Sequence, residues 1–150
     1  MIVNGIIQFQ ASDNPVLSPI AGRDGYWRLI RDYDVVQYGE GLWTAPKGMI
    51  TDGASIPRLF WRVIGHPFET DLIYWAILHD AAYKGRLLHD GLPAGLDREQ
   101  SDKLAFALMT GIRVGADIVS TPAWKRPLMF DTLRMFGGPN FQPNPTAVIK

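Results

Sequence analysis

The chain has 150 residues, the length of one ordinary domain, and is 47% hydrophobic, 20% charged and 11% aromatic, a globular composition. Fifteen Lys and Arg balance fifteen Asp and Glu, which argues against broad, salt-driven binding to nucleic acid or a membrane surface. Zero cysteines exclude a disulfide framework, thiolate zinc sites, iron–sulfur clusters and a cysteine nucleophile.

No run reaches the roughly 18–20 apolar residues of a membrane span, and no basic-then-apolar leader opens the chain. Residues 1–10 are β-branched and aromatic enough for a strand, broken at Asn4-Gly5 by a turn signal. Residues 11–25, with Pro15, Pro19, Gly22 and Gly25, read as a long loop. From Tyr26 to Ile50 the short runs YWRLI, YDVVQY, LWTA and GMI are separated by turn residues, which suits a small antiparallel meander.

At Thr51 the pattern changes. The string from Thr51 to Arg58 is a turn leading into a helix, with Ser55 as cap and Pro57 in the first turn, and Gly65-His66-Pro67 stops it. A second helix starts near Thr70 and ends at Gly85. Every residue from Leu72 to Leu78 is apolar or aromatic, so the stretch 71–84 is expected to be a buried central helix. After a loop, Asp97 with Gln100 three residues on makes a capping-box start for a third helix, 98–115. A fourth opens at Ser120 or Thr121 with Pro122 in its first turn, is kinked or delayed by Pro127, and ends at Gly137-Gly138. Residues 139–150 form an extended, Pro-rich tail. The five tryptophans are scattered among these elements, which suits core packing better than a base-stacking platform. The expectation is one α+β domain over 1–150: a β-meander over about 1–50, about four helices over 51–138, and the tail.

Polar residues interrupt the buried helix at one place. His79 and Tyr83, four apart, share a face, while Asp80 looks aside. Burying an imidazole and a carboxylate is costly unless each finds a partner, and the third helix offers Arg98 and Asp102, again four apart. Two readings stand. One is a structural network, His79 to Asp102 and Asp80 to Arg98 or to the amides of the 51–58 turn. The other is a His–Asp catalytic pair with Asp80 binding a metal or positioning a substrate. Thr51, Asp52, Gly53 and Ser55 are explained by turn and cap chemistry; functionally, Asp52 and the loop carbonyls would complete a hard-cation site with Asp80.

The run TDGASIPRLFW, then ILHD-x-x-Y, then R-x-x-x-D-x-x-x-F from Arg98 to Phe106, resembles a family known as domain of unknown function 1353, encoded mainly by tailed phages and prophages. The resemblance covers about Tyr26 to Met109. It implies a phage-derived protein and assigns no mechanism. Locally, H-D-x-x-Y on a buried helix with an Asp on the next long helix is similar to secreted phospholipase A2. Carried over, that likeness implies His79 as general base, Asp102 as its orienting carboxylate, Asp80 as calcium ligand and Tyr83 steadying Asp102. The chain departs from that pattern in having no cysteines and no Gly-rich calcium loop. The order His66, His79-Asp80, Asp102 is also similar to HD-type metal phosphohydrolases, at shorter spacings.

Together these give a virion-associated, tail- or baseplate-type protein carrying a His–Asp hydrolase-like site for host-envelope degradation. The alternative is a free metal-dependent hydrolase, phospholipase-like or peptidoglycan-degrading, acting in entry or lysis. The cofactor expected is a divalent cation, Ca or Zn, or none. The partners expected are other phage structural proteins or further copies of the chain, with no nucleic acid, in the virion or in the host cytoplasm before assembly.

Overall fold

A computed structural model describes residues 2–3, 6–53, 64–66 and 69–142. The fold is α+β. Twelve short strands are described: β1 Ile2–Val3, β2 Ile6–Ile7, β3 Phe9–Ala11, β4 Leu17–Pro19, β5 Trp27–Leu29, β6 Tyr33–Gln37, β7 Gly41–Ala45, β8 Ile50–Thr51, β9 Leu88–His89, β10 Leu92–Pro93, β11 Ile112–Val114 and β12 Asp117–Val119. Three α-helices are described: α1 Thr70–Tyr83, α2 Arg98–Met109 and α3 Lys125–Phe136, with a 3-10 turn at Gly138–Asn140 behind them. The helix expected over 55–64 lies outside the described residues except for Ile64, which is buried. No helix among the described residues is long and apolar enough to cross a membrane.

The strands do not form one meander. Seven make a sheet in the order β10-β9-β7-β6-β3-β11-β12, while β4, β5 and β8 make a separate three-stranded sheet. The expected runs are therefore shared out: YDVVQ pairs with GLWTA, whereas WRL pairs across that hairpin with Ile50 and Thr51. The alternation in β6 buries Tyr33 and Val35 and leaves Val36 exposed, as one core-facing side requires. β1 pairs with β2, on either side of Asn4-Gly5, which lie outside the described residues.

Several boundaries differ from the sequence expectation. The loop over 11–25 contains β4. The loop after α1 contains a hairpin whose central residues, Asp90 and Gly91, both have positive φ, the geometry a two-residue Asp-Gly turn prefers. The third helix stops at Met109. Gly111 has φ +156°, and Ile112, Arg113 and Val114 pass into the main sheet, parallel to β3. That parallel pairing brings the end of a helical segment back beside the start of the chain. The fourth helix begins at Lys125, so Pro127 falls in its first turn, where an N–H is not needed, and causes no kink. Thr121 is not a cap; its hydroxyl accepts from the Trp75 indole at 3.1 Å and donates to the Asp71 carbonyl. Of the tryptophans, Trp43 and Trp75 are buried, but Trp124 is 59% exposed and Trp61 lies outside the described residues.

The buried central helix is where the sequence placed it. Leu72, Trp75, Ala76, Ile77, Leu78, Ala81 and Ala82 join Phe9, Val35, Leu108, Ile112 and Met129 in one core. Polar ties fix α1 on several sides. Tyr33 of β6 donates to the Tyr74 carbonyl at 2.7 Å, and the buried Lys125 of α3 pairs with Asp71 at 2.7 Å. The capping box at α2 is present in full: Asp97 accepts from the Gln100 amide and Gln100 accepts from the Asp97 amide.

Candidate functional site

Three helices meet at one carboxylate. α1 supplies His79 and Tyr83 from one face, α2 supplies Asp102, and α3 supplies Arg134. Asp102 has no exposed surface. Its Oδ1 receives His79 Nε2 at 2.7 Å and the Tyr83 hydroxyl at 2.6 Å, and its Oδ2 receives Arg134 Nη1 at 2.7 Å. Burial alone would push the Asp102 carboxyl up. The hydrogen bonds from His79, Tyr83 and Arg134 outweigh it and hold the group below its ordinary value. Asp102 is thus a carboxylate at neutral pH, and an ionised Oδ1 requires the proton of His79 to sit on Nε2.

The His79 and Tyr83 rings lie 4.2 Å apart, and Trp75 meets His79 edge-on at 6.1 Å. The Tyr83 hydroxyl is pushed up in pKa by burial and by its bond to Asp102, so it acts as a donor here. Arg98 does not reach Asp80. Its guanidinium contacts the Tyr83 hydroxyl at 3.3 Å and takes the Leu133 and Arg134 carbonyls at 2.9 and 2.5 Å, closing the C-terminal end of α3. Phe141 packs edge-on to Tyr83, and the Gln142 amide donates to the Tyr83 carbonyl, so the chain after α3 crosses the site.

His79 is only 8% exposed, yet it lines a cleft together with Gly53, Asp80, Tyr83, Leu133 and Gly137. The cleft leaves about 20 Å³ for the centres of water-sized molecules. That is room for a water, with larger groups approaching from the mouth. With Nε2 committed to Asp102, Nδ1 is the ring nitrogen left to exchange a proton with a molecule in the cleft.

Asp80 sits apart from this network, as the helical spacing requires. Burial pushes its carboxyl up, the neighbouring Asp52 adds to that, and the Lys84 ammonium and the Thr51 hydroxyl pull in the other direction without cancelling it. Lys84 Nζ lies 3.1 Å from Asp80 Oδ2 and donates to the Ile50 carbonyl. The Asp80 contact is one of charge, because Oδ2 accepts no hydrogen bond of good geometry. Thr51 is fully buried and its hydroxyl accepts from the Gly53 amide at 3.1 Å; Gly53 has φ +81°. Ser55 lies outside the described residues.

A divalent cation on Asp80 and Asp52, which the phospholipase likeness implies, does not fit these donors. Among the described residues no three His, Asp or Glu side chains converge on a metal position. The Lys84 ammonium already lies against Asp80 and the Ile50 carbonyl. A divalent ion about 4 Å from that ammonium would meet a repulsion of roughly 8 kcal/mol at an effective dielectric constant of about 20.

The structure therefore brings together His79, Tyr83 and Asp102, with Arg98 behind Tyr83, and places Thr51, Asp52 and Gly53 beside Asp80. Sequence reasoning missed Arg134 and the cleft wall made by α3 and the turn after it. The available signal is Gly137-Gly138 after a helix, which by itself marks only a stop.

The model of a family described as "Protein of unknown function (DUF1353)" matches residues 27–131. The match contains His79, Asp80, Tyr83 and Asp102 and ends before Arg134. An uncharacterized protein, y4jT, of Sinorhizobium fredii (strain NBRC 101917 / NGR234) is 44% identical over 50 residues, which are 32% of this chain and 15% of that protein. No solved structure matches.

Proposed function

The chain belongs to the family described as Protein of unknown function (DUF1353), and we propose that it is a phage-derived, virion-associated protein of tail or baseplate type whose His79–Asp102 pair is a general-base hydrolytic site for host-envelope degradation. The observation that carries the hydrolytic part is the 2.7 Å contact from Asp102 to Nε2 of a histidine that itself lines a cleft. The virion association is supported by the phage-type TDGASIP and HD-x-x-Y strings.

In this reading a water in the cleft gives a proton to His79 Nδ1 as its oxygen attacks the carbonyl carbon of an ester or amide. Asp102 stabilises the imidazolium and holds the ring, and Tyr83 and Arg134 hold Asp102. On collapse of the tetrahedral intermediate, the proton on Nδ1 passes to the leaving oxygen or nitrogen, which restores the neutral imidazole. The narrowness of the cleft favours a substrate that presents one scissile group from outside, as an envelope lipid or peptidoglycan strand does.

The test is hydrolysis of short-chain phospholipid, of activated ester and of purified peptidoglycan by wild type and His79→Ala, with circular dichroism of both. Turnover lost at least a hundredfold in a folded His79→Ala protein is the expected result. No turnover by wild type on any of the three, together with a large fall in Tm for His79→Ala, would leave the cluster as a fold-holding network. Sedimentation of the chain with and without purified phage particles checks the association separately.

A further inference from the structure

We propose that the Lys84 ammonium is the resident cation of this site, standing between the Asp80 carboxylate and the Ile50 carbonyl where a divalent metal would otherwise bind, so that the site is metal-independent. The inference concerns the same cleft as the hydrolytic reading but does not depend on it.

Three features place the charge there. The Asp80 carboxylate and the Ile50 carbonyl are hard oxygens that attract a cation, and Asp52 stands near enough to push the Asp80 carboxyl up. Lys84 follows α1 directly, one turn beyond Asp80, and its own amide bonds the Asp80 carbonyl at 3.0 Å, so backbone geometry delivers its side chain to that carboxylate. The C-terminal end of a helix also favours a cation. The ammonium is 3.1 Å from Asp80 Oδ2 and is bonded to Ile50, which ties the last turn of α1 to β8 and hence to the Thr51–Gly53 turn at the cleft. Lys84 does not line the cleft. It is a positioning residue, acting through Asp80 and the turn.

The experiment uses the full chain and calcium chloride, zinc chloride and EDTA as probes, read by calorimetric titration and thermal melting of wild type, Lys84→Ala, Asp80→Asn and the double variant. Wild type is expected to bind neither metal stoichiometrically and to melt at the same temperature with metal or EDTA. Lys84→Ala is expected to melt roughly 3–8 °C lower. Millimolar calcium should restore part of that loss, because the oxygens are then without their counter-charge. The double variant should melt above Lys84→Ala, since both charges are removed together. Stoichiometric calcium or zinc binding by wild type that Asp80→Asn abolishes would overturn the proposal, as would an unchanged melting temperature for Lys84→Ala. If Lys84→Ala fails to fold, the wild-type titration and the double variant still decide it. Hydrolytic activity is not a readout here, so failure of that reading and failure of this one are separable.

Discussion

Gly137 and Tyr83 are in direct contact across the site: a Cβ placed on Gly137 would lie 2.7 Å from the Tyr83 hydroxyl and 2.5 Å from the Leu133 carbonyl. The backbone of Gly137 is ordinary, with φ −76°, so the constraint is space and not conformation. Gly137→Ala should displace either the end of α3 or the phenol, and with the phenol its 2.6 Å bond to Asp102. The expected cost is about 1–3 kcal/mol, a fall in Tm of roughly 2–4 °C for each kcal/mol in a chain of this size. Thermal melting checks it, and Gly138→Ala is the control, because a Cβ there meets nothing closer than 3.6 Å.

Asp102 should govern the acid limb of stability. Its native carboxyl is held below the ordinary value, so folding binds fewer protons there than the unfolded chain does. The stability it contributes is complete above the unfolded value of about 3.9 and is lost as pH falls through the native value. Asp102→Asn should therefore lose about 3–5 kcal/mol at pH 7, the cost of breaking a buried pair, and show a flatter acid limb. Arg134→Gln removes one of the three hydrogen bonds that hold the carboxylate down and should move the wild-type acid midpoint upward. Denaturant titrations from pH 2.5 to 7 measure both; an acid limb for Asp102→Asn as steep as that of wild type would show that other carboxylates set it.

What the sequence made legible follows from the range of the interactions involved. The uninterrupted apolar run from Leu72 to Leu78 can only be a buried element, and His79, Tyr83 and Asp102 were recognisable because i, i+4 spacing and the capping box at Asp97 fix which faces they share. Arg134 is 32 residues from Asp102, and nothing in its own helix marks it as a partner. The apolar pattern extends the helix through β11 because Ile112 continues the stripe of Ala105 and Leu108; the contrary signal is Gly111, followed by a run that is β-branched apart from Arg113. The sharing of the strands between Trp27 and Thr51 among two of the three sheets was out of reach, since β5 pairs with β8 across a complete intervening hairpin.

Gly111 is confined where α2 passes into the main sheet. Its φ of +156° falls at the edge of the range that glycine alone tolerates readily, and a Cβ there would lie 2.8 Å from Ile7 Cδ1 and 3.3 Å from Ile118 Cγ2. Ile7 is buried beside β3 and has little room to give, whereas Ile118 in β12 is half exposed and can turn aside, so the crowding falls on Ile7. Gly111→Ala should cost about 1–3 kcal/mol through strain and crowding. Because the damage is to the junction of α2 with the sheet, hydrogen exchange should rise in β11 and β12 before it rises in α1. Uniform loss of protection would mean that the junction is not a separate unit.

Asp97 tests how firmly α2 presents Asp102. The Asp97 carboxylate accepts from the Gln100 amide at 2.7 Å, and the Ser101 hydroxyl donates to the Asp97 carbonyl, so the first turn of α2 is tied at both ends. Asp97→Ala removes the carboxylate half of the capping box and should cost about 1 kcal/mol, a fall in Tm of roughly 2–4 °C. Asp102 lies in the second turn and is also held from α1 and α3, so loosening the first turn should leave its partners in place. The further loss caused by Asp102→Asn at pH 7 should therefore be the same in an Asp97→Ala background as in wild type, measured by denaturant titration of the single and double variants. A smaller loss in that background would mean that the cap, and not the three hydrogen bonds on Asp102, fixes the carboxylate.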